Sequence, residues 1–328
     1  MRESKELSSL TATRRRTAVL SIAVFFLAAL FADSGCGIKK TVKIRVPQAI
    51  LQAKTASFDE LLGIIRNYYD KIDRLSTDPT GMELTFTSSR KISEGELEKY
   101  KSLRGYILLR RPDSVRFVLL VPLMQSTLFD VLSVGDKLSM LYARGHRFYE
   151  ASNSAKELYG IDPSTSKEFQ VPPIRGPHIF EAIFPQGIVL DAPGALLDVI
   201  EETDAQASYY VLSMHREDKS QNGMPHRIHT LRKIYIERSG LTIARQKVFD
   251  EEGRIVSDIT YSDEIRIEEF SLPRQIHIDR PQDGYTLDLK IRKWSINPDL
   301  PDEAFMLSPG PEDQIIPLTV KATRNDPK

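Results

Sequence analysis

Apolar residues along this chain follow first a helical period and then a strand period. Between Phe58 and Leu75 they recur at three- and four-residue spacing, which predicts one amphipathic helix. Ser57 and Glu60 occupy the two positions of a capping box at its start. From Met82 onward apolar and polar residues alternate, which is typical of a half-buried β-strand. The sequence therefore predicts an N-terminal helix followed by a sheet.

Most of the remaining chain has the pattern of strands joined by tight turns. Turn residues at 238–240, 251–253 and 282–284 separate apolar segments, and strands that follow one another without helices pair antiparallel. The predicted strands are 82–87, 103–110, 114–121, 127–134, 137–143, 147–151, 209–215, 229–237, 242–249, 255–267, 274–279 and 285–294. About eleven strands with few helices predict a mainly β (α+β) fold, an incomplete antiparallel β-barrel.

Three segments depart from this meander. Residues 152–176 are rich in proline, serine and lysine, so we expect them to lie on the surface. His178–Phe184 is an apolar run between two prolines, which predicts a short helix, and a second short helical piece is expected near 195–199. In Phe117–Val121 the residues that point to one face of the strand and those that point to the other are all apolar. We therefore expect this strand to be covered on both faces.

The N-terminal region has the pattern of an export signal. Arg14–Arg16 precede an apolar run that ends at Ala32, and small residues then lead to Cys36, the single cysteine. Because one thiol cannot form an internal disulfide, lipidation of Cys36 is the leading prediction. Asp33 stands where lipoprotein sites usually carry an aliphatic residue, so a secretory signal peptide cut after Ser34 and an uncleaved anchor remain open.

These boundaries divide the chain into four predicted parts. They are a lipoprotein-type signal peptide over 1–35, a tether over 36–56, a single domain over 57–318 and a C-terminal tail over 319–328. Lys plus Arg and Asp plus Glu each number 45, so no overall field favours a nucleic-acid partner. No second apolar stretch is long enough to cross a membrane.

The sequence lacks the common catalytic and cofactor-binding motifs. It has no G-x-S-x-G, H-E-x-x-H, Walker or G-x-G-x-x-G pattern. His226 and His229 are three residues apart, but no cysteine or acidic pair completes a metal set, which indicates surface or turn histidines. Acidic pairs such as Glu201-Glu202 fall at predicted turns and strand ends. We therefore expect no enzyme activity, no cofactor and no metal.

Four short segments follow one another in a recognisable order. They are Gly105-Tyr106, RRPDSVRF at Arg110–Phe117, LPRQI at Leu272–Ile276 and INPDLPDEAF at Ile296–Phe305. In these segments the chain resembles the outer-membrane lipoprotein carrier and receptor superfamily of the LolA and LolB proteins. The resemblance extends over residues 58–318. It implies an incomplete barrel curled around an apolar cavity and covered by short lid helices.

The resemblance also implies that the cavity binds the acyl chains of a lipid or lipoprotein. Keeping a chain of roughly fifteen methylenes from water is worth about 12 kcal/mol. The residues expected to line the cavity and its lid are Leu84, Phe86, Ile107, Leu109, Phe117, Leu119, Val121, Phe180, Ile183, Phe184, Tyr285, Leu287, Leu289 and Ile291. Core packing is the alternative at each position, because a filled core and an empty channel use the same side chains.

Two further residues are candidates for contact with a membrane. Leu123 and Met124 follow a proline in the loop between two predicted strands, where the receptor branch of the superfamily exposes an apolar side chain. An ordinary buried loop is the alternative. The residue after Cys36 is not aspartate, which by the enterobacterial sorting rule favours the outer membrane.

Two functions are consistent with these features. The leading hypothesis is a cell-envelope lipoprotein, anchored in the outer membrane and facing the periplasm, that binds an acyl chain or lipoprotein in sorting or reception. The alternative is a partner-binding scaffold or envelope-stress sensor with the same fold. It is supported by the polar segments 152–176 and 215–223, which lipid transfer does not require.

Overall fold

The computed structural model describes residues 52–88, 98–99, 102–121, 123–155, 158–161, 168–170, 174–185, 195–218 and 227–318. The predicted signal peptide, Cys36, most of the tether and the C-terminal tail lie outside these residues. The described part of the chain holds two α-helices, α1 (Phe58–Lys71) and α2 (Gly176–Ile183), and nineteen strands. In this part, no helix is long and apolar enough to cross a membrane.

The strands follow one another along the chain in two groups separated by α2. The first group is β1 (Arg74–Thr77), β2 (Met82–Ser88), β3 (Glu98–Lys99), β4 (Leu103–Arg110), β5 (Ser114–Leu120), β6 (Thr127–Val134), β7 (Lys137–Tyr142), β8 (Arg147–Ser152), β9 (Tyr159–Ile161) and β10 (Glu168–Gln170). The second is β11 (Ala195–Thr203), β12 (Ser208–Asp218), β13 (Arg227–Glu237), β14 (Thr242–Phe249), β15 (Ile255–Ile267), β16 (Phe270–Arg280), β17 (Tyr285–Ile291), β18 (Trp294–Ile296) and β19 (Gln314–Pro317).

Seventeen of these strands form one open sheet, which confirms the predicted incomplete barrel. Strands β11 to β17 pair antiparallel in chain order, β17 pairs with β2, β2 with β4, and β4 to β8 continue in chain order. The sheet ends at β11 on one side and at β19, which pairs parallel with β8, on the other. The two halves of the chain are therefore joined through β17 and β2.

Helix α1 forms where the sequence predicts it, because its start is capped and one face is apolar. Glu60 N donates to Ser57 Oγ at 3.3 Å, and Ser57 N donates to Glu60 Oε2 at 2.6 Å, which closes the capping box. Leu61 and Ile65 are buried against β12 and β13. The helix ends at Lys71 rather than at the predicted position 75, because residues 74–77 form β1 between β4 and β18.

Residues in the segments that resemble the LolA and LolB proteins hold the end of α1 on the sheet. The side-chain oxygen of Asn297 accepts from the backbone N–H groups of Asp73 and Arg74 at 2.8 and 3.0 Å, and its amide donates to Lys71 O. Arg111 donates to Tyr69 O at 2.6 Å, and its guanidinium lies 3.7 Å from the centre of the Tyr69 ring. Asn297 and Arg111 therefore have a structural role, which is to attach the C-terminal end of α1 to the sheet.

Strand β5 is covered on both faces, as predicted. Phe117 and Leu119 face the core cluster beneath α2, and α2 contacts β5 and β6. On the other face, Val118 is buried and Arg116 donates to Ala304 O at 2.8 Å, in the 3-10 turn Asp302–Phe305. The second face of β5 is thus covered by the 3-10 turn Asp302–Phe305, near the C-terminal end of the sheet domain.

Three sequence predictions need correction. The helical piece expected near 195–199 is strand β11, which pairs along its whole length with β12. The described residues form nineteen strands rather than about eleven, because short pieces such as β18 and β19 carry too few residues to show a period. The described residues of 152–176 include the short pair β9–β10, and Leu158 among them is 2% exposed rather than on the surface. Within the predicted tether, the N–H of Lys54 donates to Arg238 O at 2.9 Å.

Candidate functional site

The fourteen residues predicted to line a cavity and its lid all lie in the interior. None is more than 8% exposed. All except Val121 belong to one continuous cluster of buried side chains, which also contains Ile179 and Ala182 of α2. The structure therefore brings the predicted residues together, as side chains that pack on one another beneath α2. Their role in lipid binding stays a prediction.

Helix α2 is the element that covers this cluster. Phe180 and Phe184 point into the cluster with ring centroids 4.9 Å apart. At the helix start, a β-carbon on Gly176 would lie 2.1 Å from Cβ of Ser133, so only glycine allows α2 to approach β6 this closely. The small glycine at the helix start and the buried apolar side chains thus allow α2 to pack directly on the sheet.

Polar side chains of the sheet and of α1 hold the C-terminal end of α2. The last carbonyl groups of a helix have no partner within the helix. Here Tyr261 donates to Ala182 O at 2.7 Å, and Tyr68 donates to Ile183 O at 3.1 Å. Burial raises the pKa of both tyrosines above the ordinary value, so the hydroxyls keep their protons. These bonds satisfy carbonyls that would otherwise be orphaned.

A histidine holds the N-terminal end of α2. His178 Nδ1 lies 2.6 Å from the Tyr285 hydroxyl, and Arg280 donates to His178 Nε2 at 3.1 Å. Because arginine only donates, Nε2 must be an acceptor, which fixes the neutral ring with its proton on Nδ1. Burial, followed by the positive charges of Arg280 and Arg175, lowers the pKa of His178 to about 2. The histidine is therefore neutral at physiological pH.

A groove opens beside the C-terminal end of α2, between α1 and strands β14–β16. Its volume is about 340 Å³, at the lower end of the range for small-molecule sites. Tyr68, Ile183, Tyr261 and Phe270 line it, and all four belong to or pack against the buried cluster. Of the fourteen predicted residues, Ile183 is the one that lines this groove. The groove is thus adjacent to the buried cluster at the C-terminal end of α2.

The two candidate membrane-contacting residues are exposed. Leu123 is fully exposed and Met124 is 73% exposed, at the tip of the turn between β5 and β6. Val121 N donates to Ser126 O at 2.8 Å and Gln125 N to Val121 O at 3.1 Å, so the base of the turn is closed by hydrogen bonds. The alternative of an ordinary buried loop is wrong for these two side chains.

Sequence reasoning missed the polar residues that hold α2. Tyr68 and Tyr261 count as apolar positions in a helix and a strand, and no periodicity indicates where their hydroxyls point. His178 stood in the predicted lid, but its partners Arg280 and Tyr285 are more than one hundred residues away. In the described residues, no group of His, Cys, Asp and Glu could hold a metal ion.

The sequence matches no protein-family model and no curated protein. Among solved structures, a LolA superfamily protein from Nitrosomonas europaea is 13% identical to this chain in sequence and superposes with a TM-score of 0.41. The match covers 77% of this chain and 99% of that chain. This chain is similar to LolA superfamily proteins. An outer membrane lipoprotein-sorting protein domain from Vibrio parahaemolyticus has 11% identity and a TM-score of 0.42, over 75% and 96% of the two chains.

A DUF1329 family protein from Desulfovibrio piger gives a comparable match. It has 13% identity and a TM-score of 0.43, over 77% of this chain and 98% of that chain. Similarity at this level of identity concerns the fold alone.

Proposed function

We propose that this chain is a cell-envelope lipoprotein that binds one acyl chain, free or attached to a polypeptide, beneath helix α2. The groove between α1 and β14–β16 carries the proposal. It is lined by Tyr68, Ile183 and Tyr261, and it adjoins the cluster of buried apolar side chains that α2 covers. Polar residues such as Asn67, Glu264 and Arg266 also line the groove, so an alkyl chain would meet polar and apolar surface there before it reaches the apolar cluster. This is non-enzymatic binding.

Burial of an alkyl chain in the apolar interior would contribute favourable free energy to such binding. Each methylene removed from water contributes about 0.8 kcal/mol, so roughly fifteen contribute about 12 kcal/mol. In the described structure the predicted lining residues are packed together, so part of this energy must offset the displacement of α2. Displacement of α2 would expose apolar side chains such as Ile179 and Phe180 and would break the hydrogen bonds at the two ends of the helix.

Native mass spectrometry tests the binding of an acyl chain. The full chain carrying Cys36→Ser, which cannot be lipidated, is exported and purified without detergent. We expect a co-purifying mass that extracts into organic solvent. Thr242 lines the groove, so Thr242→Trp should fill it and lower the bound fraction. Thr85→Trp is the control, because Thr85 lies between Leu84 and Phe86, on the opposite face of its strand.

Two results would contradict the proposal. One is a ligand-free mass that stays ligand-free after incubation with a lipoprotein. The other is an equal loss of ligand in both variants while circular dichroism shows that both remain folded, because the loss would then not depend on the groove.

The turn that carries Leu123 and Met124 supports a second part of the proposal, contact with a membrane surface. Two adjacent exposed apolar side chains at the tip of a hydrogen-bonded turn can insert into the headgroup region without unfolding the sheet. Together with a lipid on Cys36, the turn would hold the chain at the membrane, which we propose to be the outer membrane on its periplasmic side. This arrangement suits an acceptor of acylated cargo.

Sedimentation with lipid vesicles tests the membrane contact. Met124→Ser in the Cys36→Ser chain should weaken vesicle binding by about tenfold or more, since burial of a methionine side chain is worth about 1.5–3 kcal/mol. Met306→Ser is the matched control, because Met306 is 62% exposed outside the turn. Equal loss of binding in both variants would show that the turn has no special role.

A further inference from the structure

Three buried polar side chains lie on neighbouring strands beneath α2. They are Arg232 on β13, Gln246 on β14 and Ser257 on β15, with 8%, 0% and 0% of their surface exposed. Val248 pairs with both Arg232 and Ser257, and Gln246 pairs with Ile234 and Ile259. Side chains of paired residues share a face of the sheet, so the three polar groups lie on the face that α2 covers.

Part of their hydrogen-bonding capacity is used by one residue of α2. Arg232 Nη2 donates to Glu181 Oε1 at 2.6 Å, and Gln246 Nε2 donates to Glu181 O at 3.2 Å. The Nε and Nη1 atoms of Arg232, the side-chain oxygen of Gln246 and the hydroxyl of Ser257 are buried and have no partner. Buried polar atoms are nearly always paired, so unpaired atoms on three adjacent strands point to a missing polar group.

The unpaired atoms define the chemistry of that group. Arg232 offers two donor nitrogen atoms, Nε and Nη1, and Gln246 offers a carbonyl acceptor. The Ser257 hydroxyl can donate or accept a hydrogen bond. The charge of Arg232 is already balanced by Glu181, so the site does not require an anion. Its complement is a neutral group that has both a carbonyl oxygen and an adjacent O–H or N–H, such as a carboxylic acid or an amide.

The position of the three side chains connects them with the groove. Ser257, Ile259 and Tyr261 alternate along β15 and so share one face, and Tyr261 lines the groove. The four residue steps from Ser257 to Tyr261 span about 13 Å of extended strand. Ile259 between them is fully buried in the apolar cluster. A chain that enters beside Tyr261 would therefore pass apolar surface before it reaches the polar group.

We propose that Arg232, Gln246 and Ser257 form a binding site for the neutral polar end, a carboxylic acid or an amide, of a single acyl chain. This rests on the proposed acyl-binding function and names the chemical class of its ligand. The alkyl part lies toward Tyr261 and the groove. The carbonyl oxygen of the ligand accepts from Arg232, and its O–H or N–H donates to Gln246.

Binding of four sixteen-carbon probes tests the site in the full chain carrying Cys36→Ser. The probes are palmitamide, palmitic acid, methyl palmitate, which lacks the donor, and hexadecane, which lacks the whole polar group. We expect palmitamide to bind about tenfold more tightly than methyl palmitate. Binding of palmitic acid should weaken as the pH rises and its carboxyl group ionises, whereas binding of palmitamide should not change.

Ser257→Ala is the decisive variant, because the Ser257 hydroxyl has no partner to lose. We expect it to weaken binding of palmitamide about fivefold, to leave hexadecane binding unchanged and to keep or raise the Tm of the ligand-free protein. Ser213→Ala is the matched control, since Ser213 is also buried but lies between Leu212 and Met214, on the opposite face of β12. It should change no probe affinity.

The outcomes separate this inference from the function on which it rests. If hexadecane and methyl palmitate bind as tightly as palmitamide, and Ser257→Ala changes nothing, the polar site is refuted while acyl binding stands. If Ser257→Ala lowers the Tm and alters no affinity, the site holds a buried water only. If no probe binds the parent chain, both proposals are refuted.

Discussion

Helices α1 and α2 cover neighbouring parts of the same face of the sheet, but different forces hold them there. Helix α1 has a capping box and an apolar stripe that includes Leu61 and Ile65. Helix α2 has no side-chain cap, and its backbone and side chains accept hydrogen bonds from residues of α1 and the sheet. Helix α2 also buries an apolar face, with five of its eight residues in the interior, so its bonds to distant residues add to that contact. The start of α1 is capped locally, whereas both ends of α2 depend on residues that are distant in sequence.

The largest expected effect comes from breaking the apolar attachment of α1. Ile65 is 1% exposed, so Ile65→Ala should lower the free energy of unfolding by about 2–5 kcal/mol, from lost burial and the cavity left behind. Urea denaturation measures this. Arg66→Ala, at an exposed position of the same helix, is the control and should change stability by less than about 0.5 kcal/mol. Similar effects at both positions would refute the apolar attachment.

A smaller and more local effect is expected when one bond to α2 is removed. Tyr261→Phe leaves the carbonyl of Ala182 without its buried donor, at a cost of about 1–3 kcal/mol. Since this bond holds α2 alone, amide hydrogen exchange in α2 should accelerate about tenfold or more while exchange in α1 stays unchanged. Equal acceleration in both helices would mean that they open together, and the distinction between them would be lost.

The attachment of α2 should also depend on pH. His178 has a pKa of about 2 in the folded chain, against about 6.5 when unfolded. Between these values the unfolded state binds a proton that the folded state does not, so stability rises with pH and falls as the pH drops below 6.5. From pH 7 to pH 5 this amounts to about 2 kcal/mol.

Comparison with His178→Gln isolates the contribution of His178 from that of other titrating groups. The groups that face it are Arg175, Arg280 and Tyr285, with Asp283 bonded to Arg280, and all four are present in both proteins. Urea denaturation at pH 7 and pH 5 should show a smaller pH dependence in the variant. An unchanged pH dependence would mean that His178 is not buried in its neutral form.

The smallest of these effects is expected at the start of α1. Ser57→Ala removes the hydroxyl that accepts from Glu60 N, which should cost about 1 kcal/mol of stability. Combined with Glu60→Ala, the loss should be less than the sum of the two single losses, because the two residues cap each other. Additive losses in the double-mutant cycle would indicate that the capping box does not act as a unit.

Local signals explain which elements could be predicted from the sequence. Helix α1, the long antiparallel strands and the double coverage of β5 each follow from periodicity, caps or turn residues within about ten positions. The predicted helix near 195–199 failed because its apolar residues also suit an edge strand. Leu196 and Ile200 are 45% and 47% exposed on β11, at the edge of the sheet, so burial did not select their spacing.

The sequence by itself determined a mainly β domain with one amphipathic helix and a set of apolar residues that meet in the interior. Only the tertiary structure decided that these residues pack together beneath α2, that the groove opens beside Tyr261, and that Arg232, Gln246 and Ser257 share one buried face. The physical reason is the sequence distance over which each feature is determined. Periodicity reports which side of an element is apolar, whereas a groove or a polar site depends on how strands distant in sequence are placed in register.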